Sequence, residues 1–355
     1  MSELTLHGDQ PRFARGYTKV ADQTWAWLQP NGALGESNSG LIASGEHVLV
    51  VDSLWDPPLT QRMLDAAREL VGAAPETLFN THSDGDHVWG NQLFADARIV
   101  STSTAKRLMT LDPPKEMRAM QRAGGLLRGI GTPPLPLVGR RDWGNLPRLP
   151  LHSLGSELKP FQWQDVELTL PAETFDGELE ITVGDRTVQL IEVGPAHTMG
   201  DAIAWLPDVK TVFAADILFI GGTPIMWAGP VKSWIAALDK LLLLGADVYV
   251  PGHGPVCGEA EARLVKDYFE WVQAEGVSQL ERGVPPAKAA RKLLLSDEFD
   301  SAPWGSWDDP ARLVVTLHTE QFKRDGGTDQ LGGAGRTKAV VQMQLAKTAL
   351  ERRRG

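Results

Sequence analysis

The chain has 355 residues, 42% of them hydrophobic, which is enough for one large domain with appendages or for two domains. A formal net charge of −10 speaks against nucleic acid as the main partner and against an anionic membrane surface, because both reward a basic face. One cysteine, Cys257, allows neither a disulfide within the chain nor a thiolate cluster, so a metal would have to rest on His, Asp and Glu.

The first residues lack a basic stretch followed by an apolar one, and no apolar run approaches membrane-spanning length, so the expectation is a cytoplasmic protein. Residues 16 to 55 read as successive strands with Gly, Asn and Ser turns, the last running continuously apolar into Asp52. Residues 58 to 72 have helical periodicity, with Leu59, Met63, Ala66 and Leu70 on one stripe. Short strands at ETLFNTH and ARIVST follow, then a helix at STAKRLMTL. Residues 111 to 160 break the rhythm with many prolines and glycines, and read as an insertion that is either a lid or surface elaboration. Strands return at WQDVELTLPAETF, GELEITVGDRTVQLIEVG, DAIAWLPDVKTVFAAD and ADVYVPG, with a helix over 231 to 244. Beyond Pro255 the pattern is helical up to a Gly-rich stretch expected to be a flexible link, and the chain ends in a basic helix. The expected division is 1–258 with the insertion, a helical extension over 259–325, and a link with terminal helix over 326–355.

Four short segments, each behind an apolar run, hold half of the eight histidines: Thr81 to His87, Gly194 to Asp201, Ala214 to Leu218 and Val250 to Pro255. They deliver imidazoles and carboxylates to one edge of a sheet, which is what a pair of metal ions needs. Alternate residues of an extended loop face one way, so His82, Asp84 and Asp86 can converge while His87 points elsewhere. Asp216 ends TVFAAD, an apolar run where an unpaired carboxylate is costly. His197 and His253 each follow a strand. His7, His47, His152 and His318 have no motif around them, and Cys257 reads as structural.

The order His-x-Asp-x-Asp-His, then His, then Asp, then Gly-His-Gly resembles the metallo-β-lactamase superfamily, with a site most similar to the glyoxalase II and lactonase style. The resemblance covers roughly residues 16 to 258. It implies an α/β fold, an αββα sandwich of two mixed sheets packed face to face with helices outside, the metal site at the sheet edge and a helical C-terminal extension. Carried over by position, it implies a first metal on His82, Asp84 and His197, a second on Asp86, His87 and His253, and Asp216 bridging both. Asp52 matches a family aspartate beside the site, where it orients a ligand or the water, or else caps the strand end. The family usually has His where this chain has Asp84. Zinc is the first expectation; an added carboxylate favours harder ions, so manganese or iron are alternatives, and occupancy by one ion is another.

The chemistry implied is hydrolysis of a small, fairly apolar ester, lactone, thioester or related electrophile by an activated water, with Asp86 orienting that water. Three alternatives stand beside it: a diiron oxidoreductase, a lyase, cyclase or hydrolytic dehalogenase, and a non-enzymatic binding protein that retains the fold. Among twelve tryptophans, Trp89 and Trp227, with Met226, could wall a substrate pocket, with core packing the competing role. The expected partner is a small molecule, with a homo-oligomer open through the C-terminal helices.

Overall fold

The computed structural model describes residues 4–111, 113–115, 117–119, 121–122 and 157–354. Most of the expected insertion, the lid candidate at 111–160 and His152 with it, lies outside the described residues. The first sheet holds β1 (Gly16–Ala21), β2 (Thr24–Leu28), β3 (Ser39–Ser44), β4 (His47–Val51), β5 (Thr77–Phe79), β6 (Arg98–Thr102) and β7 (Glu173–Phe175), side by side in chain order. Pairing is antiparallel from β1 to β4 and parallel from β4 to β7. Parallel neighbours need crossovers, and α1 (Pro57–Val71) supplies the one from β4 to β5. Its start is written in the sequence: Asp56 accepts the Leu59 N–H at 2.8 Å, Pro57 and Pro58 sit where no N–H is needed, and Gly72 in the left-handed region ends it. The buried stripe is Leu59, Met63 and Ala67, whereas Leu70 is exposed, because the helix phase carries that last turn away from the sheet.

The second sheet runs in the order β12 (Val248–His253), β11 (Thr211–Phe219), β10 (Ala202–Leu206), β9 (Arg186–Glu192), β8 (Glu178–Val183). β11 and β12 are parallel, joined through helix Val231–Leu243; the other pairs are antiparallel. Side-chain alternation splits each strand between two cores. Ile42, Leu49 and Val51 face Ala202, Ala204 and Leu206 between the sheets. Leu41, Val48 and Val50 face α1 and its neighbours, and Ile203 and Trp205 face the C-terminal helices. Both faces of each sheet are therefore covered, which is why these strands read as continuous apolar runs.

Three expectations need correction. Residues 163–170 form no strand: Trp163 plugs the outer core against Trp55 and Phe161, and the backbone is held by side chains, the Thr169 carbonyl by Asn91 and the Glu167 N–H by Gln92. Asp216 lies inside β11 and does not end it. The register between β11 and β12 shifts on either side of Ala215, whose φ is 46°, and such an irregularity re-aims the following side chain. The Gly-rich stretch is not wholly a link, since the last helix begins at Gly333 and Leu331 is buried with its N–H on the Trp227 carbonyl.

The helices after residue 258 share one hydrophobic core with the second sheet. Glu320, on helix Leu313–Arg324, accepts the Val231 N–H at the start of the crossover helix, tying the outer layer to the sheet. No helix among the described residues is long and apolar enough to cross a membrane.

Candidate metal centre

The loop after β5, the loop after β9, the second half of β11 and the end of β12 meet at one rim. The extended backbone through His82 and Asp84 gives way at Gly85 to a single helical turn, Gly85–Val88. The three-way convergence of His82, Asp84 and Asp86 expected from alternation is thereby broken. Asp84 stays with His82, while Asp86 and His87 are turned toward His253. Three three-residue groups result, His82–Asp84–His197, Asp86–His87–His253 and Asp52–His82–His87, in each of which one potential ligand atom per residue lies within 4.8 Å of the others; the third is the set that Asp52 and Thr81 tie together by hydrogen bonds, which leaves the first two as the ion-holding pair.

Asp216 stands between them. Its Oδ2 is 3.3 Å from His197 Nε2, 3.5 Å from His253 Nε2 and 3.9 Å from His82 Nε2; its Oδ1 is 3.2 Å from His87 Nε2. Asp84 Oδ2 is 3.1 Å from His197 Nε2, and Asp86 Oδ2 is 3.4 Å from His253 Nε2. Gly252 makes room for this arrangement, since a Cβ there would stand 1.8 Å from Asp216 Oδ1.

The surrounding hydrogen bonds fix which imidazole nitrogen faces inward. Asp52 accepts the Thr81 N–H at 2.8 Å and the Thr81 hydroxyl at 2.7 Å. A hydroxyl has one proton to give. The 2.9 Å contact between Thr81 Oγ and His82 Nδ1 must therefore be donated by the imidazole. His82 then carries its proton on Nδ1 and presents a lone pair at Nε2. His87 Nδ1 lies 3.0 Å from Asp52, and His197 Nδ1 lies 2.7 Å from the Ile225 carbonyl, so both also direct Nε2 inward. Asp52 is buried, with φ at 62°, and does more than cap a strand: it orients a ligand candidate directly and another through Thr81.

The inward atoms only partly satisfy one another: His197 Nε2 is hydrogen-bonded to Asp84 Oδ2 at 3.1 Å, but others have no partner. His82 Nε2, His87 Nε2 and Asp216 Oδ1 are buried without a hydrogen-bond partner. Buried polar atoms are rarely left so, and a set of nitrogen and oxygen donors aimed at common points is what a divalent cation of borderline or hard character accepts. The residues present fit a pair of ions.

Charge among these groups is distributed unevenly. Burial lowers His82, and the neighbouring His87 adds to this, to about 4. Burial also opposes charge on His197, yet Asp216 and Asp84 lift it to about 9. His87 and His253 are raised by the same logic, burial outweighed by Asp216 and Asp86. Burial pushes Asp84 up, and His197, His82 and Arg336 together pull it below the usual carboxylate range.

Ser37 and Asn38 are functional positions that the sequence left inside an ordinary turn. Ser37 Oγ donates to the Asp86 carbonyl at 2.6 Å. Asn38 Nδ2 donates to the carbonyls of Pro251 (2.9 Å) and Gly254 (2.8 Å), and its N–H to that of Gly252. One loop of the first sheet thus clips the His253 loop of the second. Asp201 was visible only as part of its segment; it accepts the N–H groups of Ala196 and Thr198 and the Thr198 hydroxyl, shaping the His197 loop. Burial lifts its carboxyl to about 6.

The suggested pocket residues fall in different places. Trp89 packs inward against Trp55 and Trp163, with ring centroids 6.2 and 5.7 Å apart, and so belongs to the outer core rather than to a substrate wall. Met226 is fully buried, its carbonyl accepting the Thr319 hydroxyl, and likewise belongs to packing. Trp227 is at the rim: its N–H and that of Ala228 donate to the His197 carbonyl. His7, His47 and His318 bond the Leu34 carbonyl, Glu76 and Gln342 respectively, away from the site. Cys257 pairs its backbone with Tyr249, and burial pushes its thiol up to about 12, far from a thiolate nucleophile.

Among curated proteins, the chain is 24% identical over 271 residues to the linear primary-alkylsulfatase of a Pseudomonas species, covering 72% of this chain and 49% of that one. It is 28% identical over 186 residues to the 2,4-dinitroanisole O-demethylase subunit alpha of a Nocardioides species, covering 49% of this chain and 55% of that one. The chain thus spans about half the length of these relatives. Among solved structures, a metallo-β-lactamase from Pontibacter korlensis superposes with a TM-score of 0.51 at 16% identity, covering 72% of this chain and 98% of the other, a likeness of fold. The profile of the metallo-β-lactamase superfamily matches residues 32–253, from the loop before β3 to the last inward histidine, and the chain belongs to that superfamily.

Proposed function

We propose that this protein is a metal-dependent hydrolase acting on a small ester or related electrophile, with His82, Asp84 and His197 holding one divalent ion, Asp86, His87 and His253 a second, and Asp216 touching both. The observation that carries this is the pair of three-residue clusters sharing one buried carboxylate whose Oδ1 has no hydrogen-bond partner. When bound, such ions acidify water and polarise the electrophile. The chain's own residues do the rest. Thr81, Asp52 and the Ile225 carbonyl hold three imidazoles in the tautomer that leaves Nε2 open. Asp86, with its side chain partly open to solvent, is the group assigned to orient the attacking water. No side-chain nucleophile is required. The alkylsulfatase relative supports the ester class. Zinc is the proposed metal, with manganese and iron brought into competition by Asp84. The setting proposed is cytoplasmic, with a small molecule as partner.

Elemental analysis of purified protein, then chelation, reconstitution and a panel of carboxylic, thio-, lactone and sulfate esters, tests this. Two equivalents of zinc or manganese and turnover abolished by chelation are expected. A folded, metal-free, inert protein would sink the proposal. Asp84 favours one second reading, a diiron oxidoreductase, which predicts iron with visible absorption and oxygen uptake.

A further inference from the structure

His82 and His87 take their orientation from Thr81 and Asp52, both inside residues 32–253 that match the superfamily. His197 takes its orientation from the loop between β11 and helix Val231–Leu243. The Ile225 carbonyl meets its Nδ1 at 2.7 Å. The N–H groups of Trp227 and Ala228 donate to the His197 carbonyl at 2.9 and 3.1 Å, and that of Gly229 to the Ala196 carbonyl at 3.0 Å. The same loop is pinned from its other side by the C-terminal layer, beyond residue 253. Arg312 donates to the Thr223 carbonyl at 3.0 Å, the Thr319 hydroxyl to the Met226 carbonyl at 2.7 Å and the Leu331 N–H to the Trp227 carbonyl at 2.7 Å. Glu320 accepts the Val231 N–H at 2.8 Å.

We propose that Thr319 is a positioning residue for the ion site of His82, Asp84 and His197: through the Met226 carbonyl it holds the loop that aims His197 Nε2. This rests on the metal-dependent assignment. Met226 stands between Ile225 and Trp227, which grip His197 at its ring and at its carbonyl. Residues 223–230 form neither strand nor helix, so these hydrogen bonds set where their backbone lies. Thr319 is fully buried on helix Leu313–Arg324, whose Leu313, Val314 and Leu317 belong to the core shared with the second sheet. A close-packed helix deforms little, which makes the hydroxyl a fixed reference for the loop. The group that holds the outer nitrogen of a metal-binding imidazole sets its direction, and Thr319 acts one hydrogen bond further out. The C-terminal helices thereby complete a metal site whose ligand candidates all lie at or before residue 253.

The test is zinc affinity and stoichiometry of the full-length protein, by competition with a chromophoric chelator, in wild type, Thr319→Val and Thr319→Ser, with folding checked by circular dichroism. Thr319→Val keeps the shape and lacks the donor. It is expected to lose about tenfold in affinity for at least one zinc equivalent, and Thr319→Ser, which restores the hydroxyl, to stay within about twofold of wild type. A hydroxyl that served stability alone would lower the melting temperature of Thr319→Val and leave the zinc affinity of the folded protein unchanged, and that result overturns the proposal. A second measurement needs no variant. Coupling is reciprocal, so zinc added to the chelated wild type should slow amide exchange at Leu331 and Val231, relative to amides of α1, by about fivefold or more. Those two N–H groups join the loop to the C-terminal layer. No slowing beyond that of α1, with zinc bound, overturns the proposal. Wild type that binds no divalent ion overturns the metal-dependent assignment itself, so the two failures are told apart.

Discussion

Asp52→Asn should disarm the metal centre while leaving its ligands in place. The Asp52 carboxylate receives three donors, the N–H and hydroxyl of Thr81 and the Nδ1 of His87. An amide keeps one oxygen and replaces the other with an NH2 group. If the NH2 takes the Oδ2 position, it faces two donors. His87 can then respond by moving its proton to Nε2. The Thr81 hydroxyl can respond by turning toward His82 Nδ1, which sends that proton to Nε2 as well. Both inward nitrogens would then present N–H where lone pairs are needed. If the amide sits the other way, the buried Thr81 N–H loses its acceptor, at about 1–3 kcal/mol. Perturbing a group that orients a ligand costs about 10–100-fold in metal affinity, or roughly 1.4–2.8 kcal/mol.

The choice of Asn matters. Asp52 has φ at 62°, a region Asn tolerates, whereas alanine there adds roughly 1–2 kcal/mol of backbone strain unrelated to hydrogen bonding. The assay is competition for zinc against a chromophoric chelator, with melting of the chelated protein followed by circular dichroism. Zinc affinity and stoichiometry within twofold of wild type would refute the tautomer argument, and with it the role given to Asp52.

Loading ions near neutral pH should release protons, from His197, raised to about 9, and from His87 and His253, both raised by the carboxylates beside them, while His82, lowered to about 4, has none to give; calorimetry in buffers of different ionisation enthalpy counts them. In the chelated protein, His197 is raised from 6.5 to about 9, so its contribution to stability is complete below pH 6.5 and lost as pH rises through 9, and the chelated protein should melt lower at pH 9.5 than at 6.5. Gly252→Ala drives a methyl group into Asp216 Oδ1 and should abolish binding of both ions, read by elemental analysis. Asn38→Ala leaves the Pro251 and Gly254 carbonyls without their donor and should destabilise by about 2–4 kcal/mol, measured by urea unfolding. Asp84→His should shift metal preference toward zinc over manganese, read by competition between the two.

The inward residues were legible because each stands behind an apolar run, and polar groups at such a place are few. Asp216 shows the limit. Its chemistry could be read, but its position within β11 could not, since the register shift beside Ala215 depends on pairing with β12, 37 residues downstream of Thr211 at its first partner Val248. Trp163 shows another: β-propensity favoured a strand, and burial against Trp55 and Phe161 prevailed. Asn38 carried no signal of its own. It reads as a turn residue, and only the approach of the second sheet turns its amide into a clip. Thr319 was hidden for the same reason, within a helical stretch that gave no hint of docking on the Met226 carbonyl.

The division of ligand candidates between the sheets has a consequence for how the site is held. His82, Asp84, Asp86 and His87 come from the loop after β5, and His197, Asp216 and His253 from the second sheet. The clusters His82–Asp84–His197 and Asp86–His87–His253 each take members from both. The distance between Asp84 and His197, or Asp86 and His253, is therefore set by the packing of Ile42, Leu49 and Val51 against Ala202, Ala204 and Leu206, and by the Asn38 clip at the rim. Interiors packed to crystal density deform little. The inter-sheet core thereby fixes the spacing between the two halves of the metal centre, and a cavity cut there, remote from every inward atom, should loosen both clusters together.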